Sequence, residues 1–195
     1  MKTDVFELTN DTQELETMLS ETEKAAVYSG LDKKQSIRLR LLAEELIGML
    51  PELLEYIKGQ FWIESKGKAF ELHISATLDD MFAADREKLL SISTSGENAA
   101  AKGVMGKIRS AFEIMLKEYV TTPPVYYNEF YSMGLVPDPM YYYSIWSLEQ
   151  YKEAAKTNLD AWDELEKSII ANLADDVIVG IKGKQVDIIV KKAFD

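Results

Sequence analysis

Two adjacent carboxylates, Glu44 and Glu45, sit inside the apolar run Leu41-Leu42-Ala43-Glu44-Glu45-Leu46-Ile47-Gly48-Met49-Leu50. A carboxylate held at the margin of a packed helix can take a proton from water or a hydroxyl, which is the work of a general base. Asp79 and Asp80 close a strand-like run. Carboxylates there can hold a turn or cap a helix. Further on, Gly96, Lys102, Gly103, Gly106 and Lys107 precede or open a helical pattern. Glycines at that place let backbone amides converge on a phosphate, and the helix N-terminus adds positive potential. Lys102, Gly103, Gly106 and Lys107 are therefore the candidate phosphate contacts. The stretch is not a P-loop, because Ala101-Lys102-Gly103 stands where Gly-Lys-Ser/Thr is needed.

His73 is the only histidine and there is no cysteine. Thiolate metal sites, cysteine nucleophiles and disulfides are excluded, and a triad or a histidine-rich metal site would rest on one residue. His73 lies between Glu71 and Ser75 on the polar side of an alternating run, so it is expected to be exposed, and no metal-ligating set is predicted.

These residues need elements to position them. A first strand is expected at about residues 3–9. Asp11 and Glu14 have capping-box spacing, so a helix begins there, carries Leu15, Met18, Leu19 and Ala26 as its apolar stripe, and stops at Ser29-Gly30. Asp32 caps a second helix, whose stripe runs through Leu39, Leu42, Leu46, Leu50, Leu53 and Ile57. On this wheel Glu45 falls about 100° from the middle of the stripe, whereas Glu44 points nearly away from it. Pro51 lacks an amide donor and predicts a bend or restart.

Two hairpins follow from period-two alternation. The first joins Gln60–Glu64 to Ala69–Ala76, with Phe70, Leu72, Ile74 and Ala76 on one face. The second joins Val177, Val179 and Ile181 to Val186, Ile188 and Val190. Between them the pattern predicts helices near 83–90 and 104–118, then an irregular segment over 120–147 that holds four of the five prolines. Ser147 and Gln150 cap a long helix over 148–173, with Leu148, Tyr151, Ala155, Leu159, Trp162, Ile169 and Leu173 as its buried stripe. The order fits an α+β protein: a two-layer α/β sandwich whose mixed β-sheet is covered on one face by helices. A single domain over 1–195 is expected, with 120–173 inserted in it.

The chain of 195 residues is 47% apolar and carries a net charge of −11. That is enough to build a core, and the charge repels both nucleic acid phosphates and anionic membrane surfaces. No run approaches the roughly 18 apolar residues of a membrane span, and the start Met1-Lys2-Thr3-Asp4-Val5-Phe6-Glu7 has no apolar stretch of a signal peptide. A cytoplasmic protein without nucleic acid or membrane partners is expected.

The helix Leu39-Arg40-Leu41-Leu42-Ala43-Glu44-Glu45 followed by a hairpin, with the Gly103–Gly106 turn beyond, resembles the histidine-kinase-like ATPase superfamily (GHKL), and within it the bacterial anti-sigma-factor branch. The likeness covers residues 1–119 and 175–193. It implies ATP or ADP between the Glu45 helix and the sheet, Glu45 as general base, Asp79 or Asp80 on the adenine, and Lys102, Gly103, Gly106 and Lys107 about the phosphates. It also implies a regulatory partner of sigma-factor or anti-anti-sigma type. The chain departs from the family at Met49, where the asparagine that holds Mg²⁺ is expected. A thioether is a poor ligand for so hard a cation, which argues against Mg²⁺ and against turnover. Nor do glycines follow Asp80. The implied protein is a degenerate nucleotide-binding regulator, with weak or lost ATPase or serine kinase activity. The alternative is a non-catalytic interaction module that uses the tyrosine-rich segment and the long helix, since tyrosine offers a rigid apolar body with a polar tip.

Overall fold

The structure is a computed structural model and describes residues 1–9, 11–48, 57–78, 143–156, 168–182 and 185–195. Within them the chain runs β1 (Phe6–Leu8), α1 (Thr12–Tyr28), α2 (Lys33–Gly48), β2 (Ile57–Lys66), β3 (Ala69–Leu78), β4 (Tyr143–Ser147), α3 (Leu148–Ala155), α4 (Ile169–Leu173), β5 (Asp176–Lys182) and β6 (Gln185–Ala193). The expected helices at 83–90 and 104–118 lie outside the described residues.

Local chemistry sets the helix ends. The Asp11 carboxylate accepts from the Gln13 amide at 2.7 Å, and Glu14 accepts from the Thr9 hydroxyl instead of closing the box. Asp32 makes the fuller cap: its carboxylate accepts from the Gln35 amide at 2.8 Å, while the Gln35 side chain accepts from the Asp32 amide at 3.0 Å. Gly30, at φ +75°, reverses the chain after α1 in a conformation that a Cβ would strain. The Arg40 guanidinium of α2 then reaches Glu16 at 3.3 Å and Glu23 at 3.0 Å, clamping the two helices together.

The six strands among the described residues form one sheet in the order β1-β2-β3-β6-β5-β4. Every pairing is antiparallel, where a mixed sheet was expected. The two hairpins meet edge to edge through β3 and β6, which match Leu72 with Val190 and Ile74 with Ile188 on one face and Glu71 with Lys191 on the other. Both faces agree in this register, and a one-residue slip would invert all of it. In the β2–β3 hairpin a two-residue turn, Gly67-Lys68, joins Lys66 to Ala69, and Gly67 takes the positive φ of +61° at the first central position.

Phe61, Ile63, Phe70, Leu72, Ile74, Ala76, Val177, Val179, Val186, Ile188 and Val190 give one sheet face its apolar surface. Buried residues of all four described helices join them in a single core, among them Met18, Leu39, Leu42, Leu46, Leu148 and Ile170. The expectation of helices and sheet sharing one buried face therefore stands.

Three boundaries differ from expectation. Ile57, assigned to the α2 stripe, opens β2 and pairs with Leu78. A lone β-branched residue satisfies either period, and only its neighbours' alternation decides. Tyr143–Ser147, expected to be irregular, is the edge strand β4 on β5, with a register shift between Ser144 and Trp146. The local Tyr-Ser-Ile-Trp composition favours extended chain once the prolines are passed. The helix expected over 148–173 is not continuous. Ser168 is extended, at φ −85° and ψ 122°, and its hydroxyl accepts from the Ala171 amide, so α4 starts afresh there. Serine's short side chain competes with the helix for that amide.

Candidate functional site

Among the sequence-predicted site residues, Glu45 alone falls within the described chain. Asp79, Asp80, Lys102, Gly103, Gly106 and Lys107 lie outside it, as does Met49. Glu45 sits on α2 between Leu42 and Leu46, both wholly buried, and is itself half-buried, while Glu44 is exposed. The helical phase expected from the stripe is therefore the observed one. No described residue forms an ion pair or hydrogen bond with the Glu45 carboxylate. Leu41 and Ile37 stand four and eight residues before it, so the three share one flank of α2. Both apolar members of that flank are exposed. The flank thus offers an apolar ledge ending in an unpaired carboxylate, a surface that suits a flat aromatic group or a partner's side chain.

The second concentration of chemistry is on the sheet face away from the core. The antiparallel register aligns Trp62, His73, Ile189 and Ile178 across four strands, and in a neighbouring row Glu64, Glu71, Lys191 and Asp176. Lys2 extends that row through a bridge to Glu64. The N-terminal residues are stitched to β2: the Thr3 amide donates to the Ile63 carbonyl at 3.0 Å, and the Ser65 amide to the Met1 carbonyl at 2.8 Å. The Lys2 ammonium lies 3.0 Å from Glu64 Oε1 and 4.8 Å from the Trp62 ring centroid.

His73, expected to be exposed, is not. Its side chain is 13% exposed, and the ring stacks on Trp62 with centroids 4.9 Å apart and planes 3° from parallel. The outward direction was read correctly. The covering was missed because Trp62 is placed opposite His73 only by the hairpin register. That register was legible: residues equidistant from the Gly67-Lys68 turn face each other, which pairs Trp62 with His73 and Glu64 with Glu71. His73 Nε2 is sealed from solvent without a hydrogen-bond partner, its nearest acid being Glu71 Oε2 at 3.5 Å.

Two opposed carboxylates on adjacent strands repel, and the flanking lysines relieve this. A hydrogen bond from Lys2, then one from the Trp62 indole N–H at 3.0 Å, holds Glu64 below the usual carboxylate range. Burial pushes the His73 imidazole below its ordinary value against the pull of Glu64 and Glu71. The sign of the pH effect follows. As pH falls, the unfolded chain takes up the imidazole proton first, so this contribution to stability is complete above the unfolded value of 6.5 and is lost below it. The Glu64 contribution is lost lower, as pH falls below 4.5. Urea midpoints should therefore fall as pH is lowered from about 7.5 to about 5.5. His73→Gln should flatten that part of the curve and leave the acid limb in place.

No protein-family model, no curated protein and no solved structure matches this chain, and no described helix is long and apolar enough to cross a membrane.

Proposed function

We propose that the chain is a regulatory domain of histidine-kinase-like ATPase type that binds ATP or ADP without efficient turnover. One observation carries this reading: a half-buried Glu45, without a partner among the described residues, at the end of an apolar ledge on a helix pinned by buried Leu42 and Leu46. In this reading Glu45 contacts the nucleotide or the water beside it. Met49, in the position where Mg²⁺ would need an oxygen ligand, opposes hydrolysis. Phosphate contacts fall to Lys102, Gly103, Gly106 and Lys107, and adenine contact to Asp79 or Asp80.

Thermal unfolding with ATP or ADP, each with and without Mg²⁺, tests the reading. At a concentration about 100 times its dissociation constant a nucleotide should stabilise the fold by about 2.7 kcal/mol. The shift should be largely independent of Mg²⁺ and should survive Glu45→Ala. Absence of any shift at millimolar nucleotide would overturn it.

A second reading, a module that binds a protein partner, draws on a different observation. Tyr28 is 80% exposed, and Val27, Ile37 and Leu41 are exposed with it along the α1–α2 layer. Large apolar groups presented to water on one layer suit burial against another protein. Of the tyrosine-rich segment first considered for this role, only 143–147 lies within the described residues.

A further inference from the structure

We propose that Glu64, Glu71 and His73 form a binding site for one divalent transition-metal ion of the zinc class. The three side chains offer two carboxylate oxygens and an imidazole nitrogen, all within 4.8 Å of one another. Two ligands held at about 2.0–2.1 Å by a tetrahedral zinc stand about 3.4 Å apart. The 3.5 Å between His73 Nε2 and Glu71 Oε2 is already that separation. It is long for a hydrogen bond, and the nitrogen has no hydrogen-bond partner among the described residues. Glu64 must close by a change of side-chain rotamer, which its half-exposed position permits.

The surroundings favour a cation at this point. Glu64 and Glu71 oppose each other directly across the β2–β3 pair, an arrangement that repels unless positive charge lies between or beside the two. Lys2 on one side and Lys191 on the other supply it from the margins, at 3.0 Å and 3.9 Å. A divalent ion would supply it from the centre, in exchange for the Lys2 ion pair and the Trp62 indole hydrogen bond that Glu64 now accepts. Trp62 fixes the His73 ring plane by stacking on it, which orients the imidazole nitrogen. The donor set of one nitrogen and two carboxylates matches a borderline metal better than Mg²⁺ or Ca²⁺, which prefer oxygen alone.

The test uses a feature of the whole chain: His73 is its one histidine, and there is no cysteine. Any metal–nitrogen side-chain signature therefore reports this residue. Full-length protein stripped with chelator is titrated with Zn²⁺ by calorimetry, and the single imidazole is followed by proton–nitrogen NMR. The expected result is one equivalent bound, with the His73 resonances moving at the same stoichiometry. His73→Gln and Glu71→Gln should each weaken binding by roughly 100-fold or more, since even an outer-sphere partner of a ligand is worth about 10- to 100-fold. Far-UV circular dichroism establishes that each variant is folded, and Glu71, on the surface, provides a variant that leaves the core untouched. Undiminished binding in either folded variant would mean that zinc collects on the acidic surface. That result, or an unmoved His73 signal at millimolar Zn²⁺, would overturn the proposal.

Discussion

Phe61→Ala is expected to destabilise the fold by about 3–5 kcal/mol, and the neighbouring Gln60→Ala by no more than about 0.5 kcal/mol. Phe61 is 1% exposed, is paired with Phe6 of β1 and Ile74 of β3, and belongs to the one core that the sheet shares with the helices. Truncating the ring removes its transfer free energy and leaves a cavity that a rigid sheet cannot close. Gln60, one residue along, points to the opposite face and is exposed. Urea unfolding followed by circular dichroism separates the two. Equal costs would mean that β2 presents its other face to the helices, which would turn Trp62 inward and dismantle the Glu64–Glu71–His73 constellation.

That contrast also shows what the sequence could disclose. Alternation in β3 and β6, the Asp32 cap and the α2 stripe from Leu39 to Leu46 are local signals, each written within a few residues, and each is found where it was expected. Ile57, β4 and the break at Ser168 are also local, but in these a weak preference competes with another. Strand order belongs to a different class. Nothing in the alternation of Leu72 or Val190 says that β3 and β6 lie side by side, so an antiparallel sheet was read as mixed. The burial of His73 is a different case: its direction is a property of one strand, while its cover by Trp62 is a property of two, and the register that joins them was there to be read from the Gly67-Lys68 turn. Glu45 was legible because a helix's phase places it without help from distant chain. The residues meant to meet it, Asp79 through Lys107, lie outside the described structure.

Leu46→Ala is expected to cost about 2–5 kcal/mol, whereas Leu41→Ala, on the flank of the same helix, should cost far less. Leu46 is fully buried and Leu41 is 39% exposed, although both are leucines separated by little more than one turn of α2. The difference comes only from the rotation of the helix about its axis, which is also what sets Glu45 at the margin. Leu41 and Glu45 lie four residues apart on one flank, and Leu42 and Leu46 four apart on the next. If Leu41→Ala proves as costly as Leu46→Ala, α2 is turned toward its Leu41 side. Glu45 would then be carried inward with Leu41, away from any ligand in solution. If the costs separate as expected, the carboxylate is held where water and ligand can reach it. A nucleotide-dependent stabilisation that survives Leu41→Ala unchanged would then place the ligand beyond the apolar ledge, whereas a weakened one would seat its aromatic part on it.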